Sequence, residues 1–540
     1  MCGIAGFITL EPLKENHLKS IVKNMASAIT HRGPDDSGEW VDMLSGVALA
    51  HRRLSVIDTS HLGHQPMISS SNRYILIFNG EIYNHTSIRK KINNYRWIGS
   101  SDTETLIAAI ETWGVEKALK ISSGMFSIAL WDSEKKELTL ARDRIGEKPL
   151  YYGWQGKSFM FASELKALRT HPHFKSEINT EALPLYFQHG YFPAPQTPWA
   201  GIHKLIPGTL LKLNISKGHI RQKSDIYWSL SRSICTRNRQ INDPIEAINA
   251  VEDQLKLSVA NQMISDVPLG AFLSGGIDSS AIVSIMQSQS TKPIKTYTVG
   301  FNESTYNEAI HAKEIANFLG TDHTELFITP KEAYSTIQEL PDAYDEPFGD
   351  SSAIPTILVS KLARNSVTVA LSGDGGDEIF GGYSHYFDEN SRKIWNTLHI
   401  LPKALRNLTI RTLQSQIPNR LDKIINLINK NLATNTSQYR SIESKAERLL
   451  AFSNKNSFEN YYATLRSIWV NSPTTIDVID STSFPYCSIY NHVEKMMFFD
   501  TCSYLPDDIM QKVDRASMKS SLECRAPFLD HNLIELAWQI

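Results

Sequence analysis

The stretch Leu273-Ser274-Gly275-Gly276-Ile277-Asp278-Ser279-Ser280 constrains this chain most. An apolar run, Val267-Pro268-Leu269-Gly270-Ala271-Phe272-Leu273, precedes it, and Ala281-Ile282-Val283-Ser284-Ile285-Met286 follows. The pattern predicts a buried strand, a tight turn and the first turn of a helix. Gly275 and Gly276 open backbone conformations closed to other residues and let a ligand approach the main chain. The first amides of the helix lack internal partners and carry the positive end of its dipole. With the hydroxyls of Ser274, Ser279 and Ser280 they form a cradle for a polyanion. Asp278 sets a carboxylate where phosphate is expected, which makes sense if a divalent cation bridges the two. No lysine follows the second glycine, so this is not the Gly-x-x-x-x-Gly-Lys-Ser/Thr loop of ordinary nucleotide hydrolases.

A chain of 540 residues is long enough for roughly two to four domains. Its net charge of -2 gives no reason to expect a nucleic-acid partner or an anionic membrane surface. No run approaches the roughly 18 apolar residues of a membrane span, and the N-terminus carries no export signal. Cys2, Cys235, Cys487, Cys502 and Cys524 are scattered and form no metal-type pair. A cytoplasmic protein without a disulfide framework is expected.

Residues 2 to about 205 are rich in short strand signals: Ile4–Ile8, Tyr74–Phe78, Met125–Trp131 and Leu138–Ala141. The last two flank a polar hairpin turn, Asp132 to Glu137. Helical patterns lie between, at 14–30, 102–121 and 163–169, so an α+β layered domain is expected over 2–218. Residues 219–241 are polar and are read as a linker. Asp243-Pro244 then opens a helix as N-cap and first helical position. From there strands and helices alternate (294–301, 307–319 closed by Gly320, 323–327, 331–340, 368–371), which predicts a parallel, doubly wound sheet over 242–540. Such sheets bind ligands beyond the carboxyl ends of their strands. A second glycine-rich loop lies at such an end: Ser372-Gly373-Asp374-Gly375-Gly376-Asp377. Its carboxylates beside an anion cradle point to a metal-nucleotide site.

Cys2 is the candidate nucleophile of the first domain. Removal of the initiator methionine sets its thiol beside its own α-amine, whose pKa of roughly 7.7–8 suits a general base. The neighbouring motifs are His31-Arg32-Gly33-Pro34-Asp35, His51-Arg52-Arg53-Leu54-Ser55-Val56-Ile57-Asp58, Gln65-Pro66, Asn79-Gly80-Glu81-Ile82-Tyr83-Asn84 and Ser101-Asp102-Thr103-Glu104. With Cys2-Gly3-Ile4 they resemble class II glutamine amidotransferases, which use an N-terminal cysteine. The resemblance implies an αββα fold of the N-terminal-nucleophile type. It implies that Arg53 clamps the glutamine α-carboxylate and that Leu54, Ser55, Val56 and Ile57 line the pocket. Glu81 and Asp102 would receive the α-amine, and Asn79 and Gly80 would form the oxyanion hole.

The Ser-Gly-Gly-x-Asp-Ser loop is similar to that of ATP pyrophosphatases. Fused to an N-terminal-cysteine glutaminase, it resembles the glutamine-hydrolysing asparagine synthetases over nearly the whole chain. Asp345-Glu346-Pro347-Phe348-Gly349-Asp350 and Lys512 to Asp530 add to the match. The resemblance implies ATP as substrate, with Leu273, Ser274, Gly275, Gly276, Asp278, Ser279, Val299, Ser372 and Gly373 binding it. It implies that Asp278 and Asp377 hold Mg²⁺-pyrophosphate. Asp374 stands where well-known members carry glutamate, a residue assigned to forming or aminating the acyl-adenylate. The cation that neutralises the phosphates is Lys512 or Arg515. Aspartate is the first choice of acceptor, with Lys512, Arg515 and Arg525 offering positive charge and Asp345, Glu346 or Asp350 negative. The alternatives are another carboxylate acceptor, such as a sugar acid, or a non-catalytic nucleotide-sensing relative. A homodimer is left open. The chain stops soon after Pro527-Phe528-Leu529-Asp530, where relatives continue, so a further C-terminal segment is expected.

Overall fold

The computed structural model of the chain describes residues 2–216, 219–236, 240–301, 307–388, 458–469 and 491–540. Cys487 and, in the polar stretch 219–241, Arg237 and Arg239 lie outside them. The chain divides into two compact units: Met1–Ala182 with Tyr191–Gly382 and Cys487–Ile540, and Leu183–Gly190 with Tyr383–Tyr486. In the smaller unit, helices Leu183–His189 and Phe458–Arg466 are described. There the His385 ring meets the Tyr462 hydroxyl at 3.2 Å, and the Ile468 amide donates to the Gln188 carbonyl at 2.7 Å.

The larger unit begins with two antiparallel sheets. One runs, in spatial order, Ile202–Lys204, Tyr151–Gln155, Ser158–Ala162, Gly3–Thr9, Val47–Arg53 and Asp36–Asp42. The other runs His219–Ile226, Thr209–Ser216, Glu137–Arg142, Gly124–Asp132, Tyr74–Ile82 and Met67–Ile68. Ile4, Ile8 and Leu49 of the first pack on Ile75, Ile77, Trp131 and Leu140 of the second. Helix Glu15–Ser27 covers the outer face of the first sheet through Leu18, Val22 and Met25. Helices Asp102–Trp113 and Val115–Ile121 cover the second through Leu106, Ile107, Ile110 and Leu119. These are the four layers of an αββα sandwich. Gly3–Thr9 is buried at every position because a helix layer lies on one of its faces and the other sheet on the opposite one. The residues at 102–121 make two helices rather than one, broken at Gly114.

One expectation needs correcting. Residues 219–241 do not run as a plain linker: His219–Ile226 pairs with Thr209–Ser216 along its whole length, and Leu230–Cys235 is helical. The strand is an exposed edge, and its polar sequence, with Arg221, Lys223 and Asp225 on it, suits such an edge.

The rest of the larger unit is built on a five-stranded parallel sheet, in the order Asp322–Ile328, Lys295–Phe301, Leu269–Phe272, Val369–Leu371 and Glu523–Arg525. Helix Pro244–Gln262 has Asp243 as N-cap, its side chain accepting from the Ile245 amide at 3.1 Å. Gly320 closes helix Ala309–Leu319 in the left-handed conformation. Helix His492–Phe499 continues through a π-helical stretch, Asp500–Ile509, into Met510–Lys519. Among the described residues no helix is long and apolar enough to cross a membrane, and Cys2, Cys235, Cys502 and Cys524 are free thiols.

Candidate active site

The carboxyl end of Leu269–Phe272 delivers the chain into the serine-glycine loop, as the sequence predicts. Gly275 takes φ +82°, and a Cβ there would lie 2.9 Å from the Ala312 amide nitrogen and 3.0 Å from the His311 Cβ. The loop's hydroxyls support one another. The Ser274 and Ser279 hydroxyls are 2.9 Å apart, and the Ser280 hydroxyl donates to the Gly276 carbonyl at 2.6 Å. Helix Ile277–Ser288 starts here with Gly276 as its N-cap, so its opening amides face the loop. Beside it lies a cavity of about 600 Å³ lined by Leu273, Ser274, Val299, Phe301, Pro355 and Val359 among others. Its lining is largely apolar, with polar groups at the loop: the composition of a pocket for a nucleoside.

The second loop, after Val369–Leu371, packs onto the first. Gly373 lies against the main chain of Asp278 and Ser279, and a Cβ on Gly376 would come 2.6 Å from the Asp278 carboxylate. The Ser372 amide donates to the Arg525 carbonyl at 2.8 Å. Burial, then the charges of Asp377 and Asp374, push the Asp278 carboxyl up to about 6. That mutual repulsion is what a divalent cation relieves. Among the described residues no cluster of three or more His, Cys, Asp or Glu side chains forms a cage for a metal ion. A pair of carboxylates suits Mg²⁺, which binds through one or two of them together with substrate phosphates.

A second pocket is lined by Cys2, Arg53, Leu54, Val56, Ile57, Gly80, Glu81, Asp102 and, from the parallel sheet, Glu523. Cys2 opens the strand Gly3–Thr9, and its main-chain nitrogen donates to Asn79 Oδ1 at 3.0 Å. Its Sγ lies 3.8 Å from the Leu54 carbonyl, and burial pushes the thiol up. A base is therefore needed to make the thiolate. Asp102, in the first turn of its helix, accepts from the Ile82 amide at 2.9 Å. His51 supports the floor: its Nε2 is 3.0 Å from the Phe78 carbonyl, and burial lowers the ring to about 3, so it is neutral and donates.

Three placements differ from what the resemblance implies. Asn79 directs Nδ2 at the Ser127 and Ser163 hydroxyls (3.3 and 3.5 Å) and its oxygen at Cys2, so the Gly80 main chain alone of the pair lines the pocket. Ser55 faces the other side, its amide on Asp35 at 2.8 Å. The Arg53 fork lines the pocket, but it donates to the Ser60 carbonyl at 2.7 Å and to the Asp58 carbonyl. Clamping a carboxylate means exchanging those partners.

Lys512 and Arg515 share helix Met510–Lys519 but not surroundings. Lys512 Nζ pairs with Asp350 at 2.9 Å. Burial opposes its charge, yet Asp350 and then Asp374 hold the ammonium above the ordinary range. Arg515 is turned to the first domain, 3.0 Å from Glu164 and 5.4 Å over the Tyr151 ring. Arg525, expected near an acceptor, is fully buried and bound to Glu523 (2.7 Å) and Glu81 (3.3 Å). Asp345 accepts from the Lys166 amide at 2.9 Å, and Glu346 pairs with Lys204 at 2.7 Å. Arg515, Arg525, Asp345 and Glu346 thus bind the first domain to the second, whereas Lys512 has Asp374 of the nucleotide loop among its neighbouring charges.

Sequence reasoning gave no role to Glu164, Arg32, Asp514 or Glu523. Glu164 accepts from Arg32 at 2.8 Å, and Arg32 forks onto Asp514 at 2.8 and 3.0 Å. Arg32, Asp514 and Glu523 all lie inside motifs of the sequence, but nothing local marks a charged residue as buried.

Fold and pockets together define an N-terminal-cysteine amidotransferase joined to a parallel-sheet nucleotide-binding domain. The asparagine synthase family model matches residues 250–540, and that of the glutamine amidotransferase domain matches residues 1–228. The chain belongs to the asparagine synthase family, and it is a carbon–nitrogen ligase that takes its amide nitrogen from glutamine. It is similar to asparagine synthetase [glutamine-hydrolyzing] 1 of Bacillus subtilis (strain 168), 33% identical over 543 residues that cover 100% of this chain and 81% of that protein. Asparagine synthetase [glutamine-hydrolyzing] 3 of the same organism is 27% identical over 561 residues, covering 100% and 81%. Its asparagine synthetase [glutamine-hydrolyzing] 2 is 32% identical over 414 residues, covering 73% and 54%.

Proposed function

We propose that the chain converts aspartate to asparagine at the expense of ATP, releasing glutamate, AMP and pyrophosphate. Its working regions are the two-sheet sandwich, through the strand His219–Ile226, for glutamine hydrolysis and 242–540 for synthesis. The observation that carries the reading is the strand Glu523–Arg525. Its Glu523 side chain lines the Cys2 pocket, while the Arg525 carbonyl holds Ser372 of the nucleotide loop. Hydrolysis and synthesis thus share one wall.

In the first pocket the freed α-amine of Cys2, oriented by Asn79, takes the thiol proton as the sulfur attacks the glutamine amide. The Gly80 amide faces the developing oxyanion. Ammonia leaves, and water later hydrolyses the thioester to glutamate. In the second, the Gly276 end of helix Ile277–Ser288 and the loop hydroxyls hold the phosphates, and the apolar cavity at Leu273 and Val299 takes the adenosine. Asp278 and Asp377 would hold Mg²⁺, which supplies charge neutralisation. The acceptor carboxylate attacks the α-phosphorus, pyrophosphate leaves, and ammonia displaces AMP from the acyl-adenylate. Lys512 carries positive charge to this step, and Asp374 is positioned beside it as the carboxylate of the nucleotide loop. The setting we infer is the cytoplasm.

The test is product analysis with glutamine, ATP and Mg²⁺ and aspartate as acceptor. Glutamate, AMP and asparagine should appear together, and Cys2→Ala should stop the glutamine-dependent reaction while synthesis from ammonium survives. ADP with phosphate as products would sink the adenylate route. AMP release only with a uronic acid or another carboxylate would sink aspartate.

A further inference from the structure

We propose that Arg525, a residue of the synthetase sheet, is a positioning residue of the glutamine pocket: it holds one carboxylate oxygen of Glu81 and so turns the other towards the α-ammonium of glutamine. This rests on the glutaminase reading above. Glu81 is 3% exposed and shares its pocket with Asp102. Two carboxylates side by side in a dry site favour sharing one proton. A protonated Glu81 loses the charge that pairs with an ammonium. Burial, then the charge of Asp102 from its own domain, push the Glu81 carboxyl well above the ordinary carboxylate range; on the strand Glu523–Arg525, Arg525 pulls it back and Glu523 adds to the rise.

Arg525 meets this requirement with little freedom to do anything else. Its Nη2 donates to Glu81 Oε2 at 3.3 Å and its Nε to Glu523 Oε1 at 2.7 Å. Its Nη1 donates to the carbonyls of Gln262 and Ile264, each at 2.7 Å, at the end of helix Pro244–Gln262. The Tyr83 ring lies 5.6 Å from the guanidinium carbon. The guanidinium is thus fixed on several sides, and its rigid fork matches these acceptors in a way an ammonium does not. Glu81 Oε1, by contrast, is buried and has no hydrogen-bond partner among the described residues. One oxygen of Glu81 is therefore held by the synthetase sheet, and the other is left to the pocket of Cys2, which Glu81 shares with Asp102. The glutaminase site is electrostatically incomplete without the second domain.

The experiment uses the full chain and compares kcat/KM for hydrolysis of glutamine with that of glutaramate, which has the same amide and carboxylate but no α-amine. Arg525→Met should lower the preference for glutamine by about tenfold or more, as expected for a lost charged hydrogen bond, and the change should lie in KM rather than kcat. Arg525→Lys, which keeps the charge beside Glu81 but not the fork, should restore part of the preference. Arg525→Gln, which keeps polar partners for the carbonyls, is read in the same way if the methionine variant does not fold. A purely structural role would slow both substrates together, and an unchanged preference in a folded Met or Gln variant overturns the proposal. A parent protein that hydrolyses no glutamine at all would instead overturn the glutaminase reading on which it rests.

Discussion

Replacing Glu164 by Gln removes the negative charge on which the join between the two domains turns. Glu164 is 1% exposed and lies 2.8 Å from Arg32, 3.0 Å from Arg515, 3.0 Å from His31 and 3.4 Å from Lys166. At an effective dielectric of about 20, each contact near 3 Å carries roughly 5 kcal/mol of Coulomb attraction, against which stands the desolvation of the carboxylate. Glutamine keeps an oxygen for Arg32, which retains Asp514. Arg515 fares worse: none of its guanidinium nitrogens has a hydrogen-bond partner of good geometry among the described residues, so the nearby charge is what compensates it. Stranding a buried partner in this way costs about 3–5 kcal/mol. At roughly 2–4 °C per kcal/mol for a unit of about 200 residues, the first domain should melt roughly 6–20 °C earlier. Urea unfolding followed by tryptophan fluorescence, with Trp131 wholly buried between the two sheets, reads that domain. The pH dependence gives a second check. Although burial opposes it, His31, Arg515 and Arg32 hold the Glu164 carboxyl well below its ordinary value. A depressed carboxyl contributes stability above the unfolded pKa, about 4.3, and loses it as pH falls through the folded one. The gap between wild type and Glu164→Gln should be full at neutral pH, begin to close only in acid below about pH 4.3, and vanish once Glu164 is protonated. A variant within about 1 kcal/mol of wild type at pH 7, the ordinary effect of a substitution, or a gap undiminished in strong acid, would refute the reasoning.

Asp278→Asn should cut AMP release sharply while glutamate release with glutamine alone continues; equal loss of both would separate Asp278 from the nucleotide. In metal-free protein the same variant should be at least as stable as wild type above pH 6. There the wild-type carboxyl, raised to about 6 by burial and by Asp377 and Asp374, is ionised, and the stability linked to its proton is lost. Gly275→Ala should destabilise the turn by about 1 kcal/mol or more, because an alanine at φ +82° is strained and its Cβ crowds the Ala312 amide. ATP affinity measured by calorimetry should fall with it, and an unaltered affinity would mean that the turn is not the phosphate cradle.

What the sequence determined by itself is local. The run from Leu269 to Ser280 could only be strand, turn and helix, because glycine and serine chemistry at that spacing acts within a few residues. Asp243-Pro244 announced a helix start for the same reason, and the hairpin at 132–137 lay in plain view. The motifs around Cys2, Gly80 and Asp102 were each legible as motifs, and they line one pocket. The tertiary structure decided where charge goes once water is excluded. Helix Met510–Lys519 carries Gln511, Lys512, Asp514, Arg515 and Ser517, polar side chains that are all buried. Partners at Lys204, Asp350, Arg32 and Glu164, from 162 to 482 residues away in sequence, neutralise or hydrogen-bond four of them. Arg525 looked like a cation for an acceptor and is instead the neighbour of Glu81. A buried charge is set by what the fold brings within about 4 Å of it, and no local pattern of residues encodes that distance.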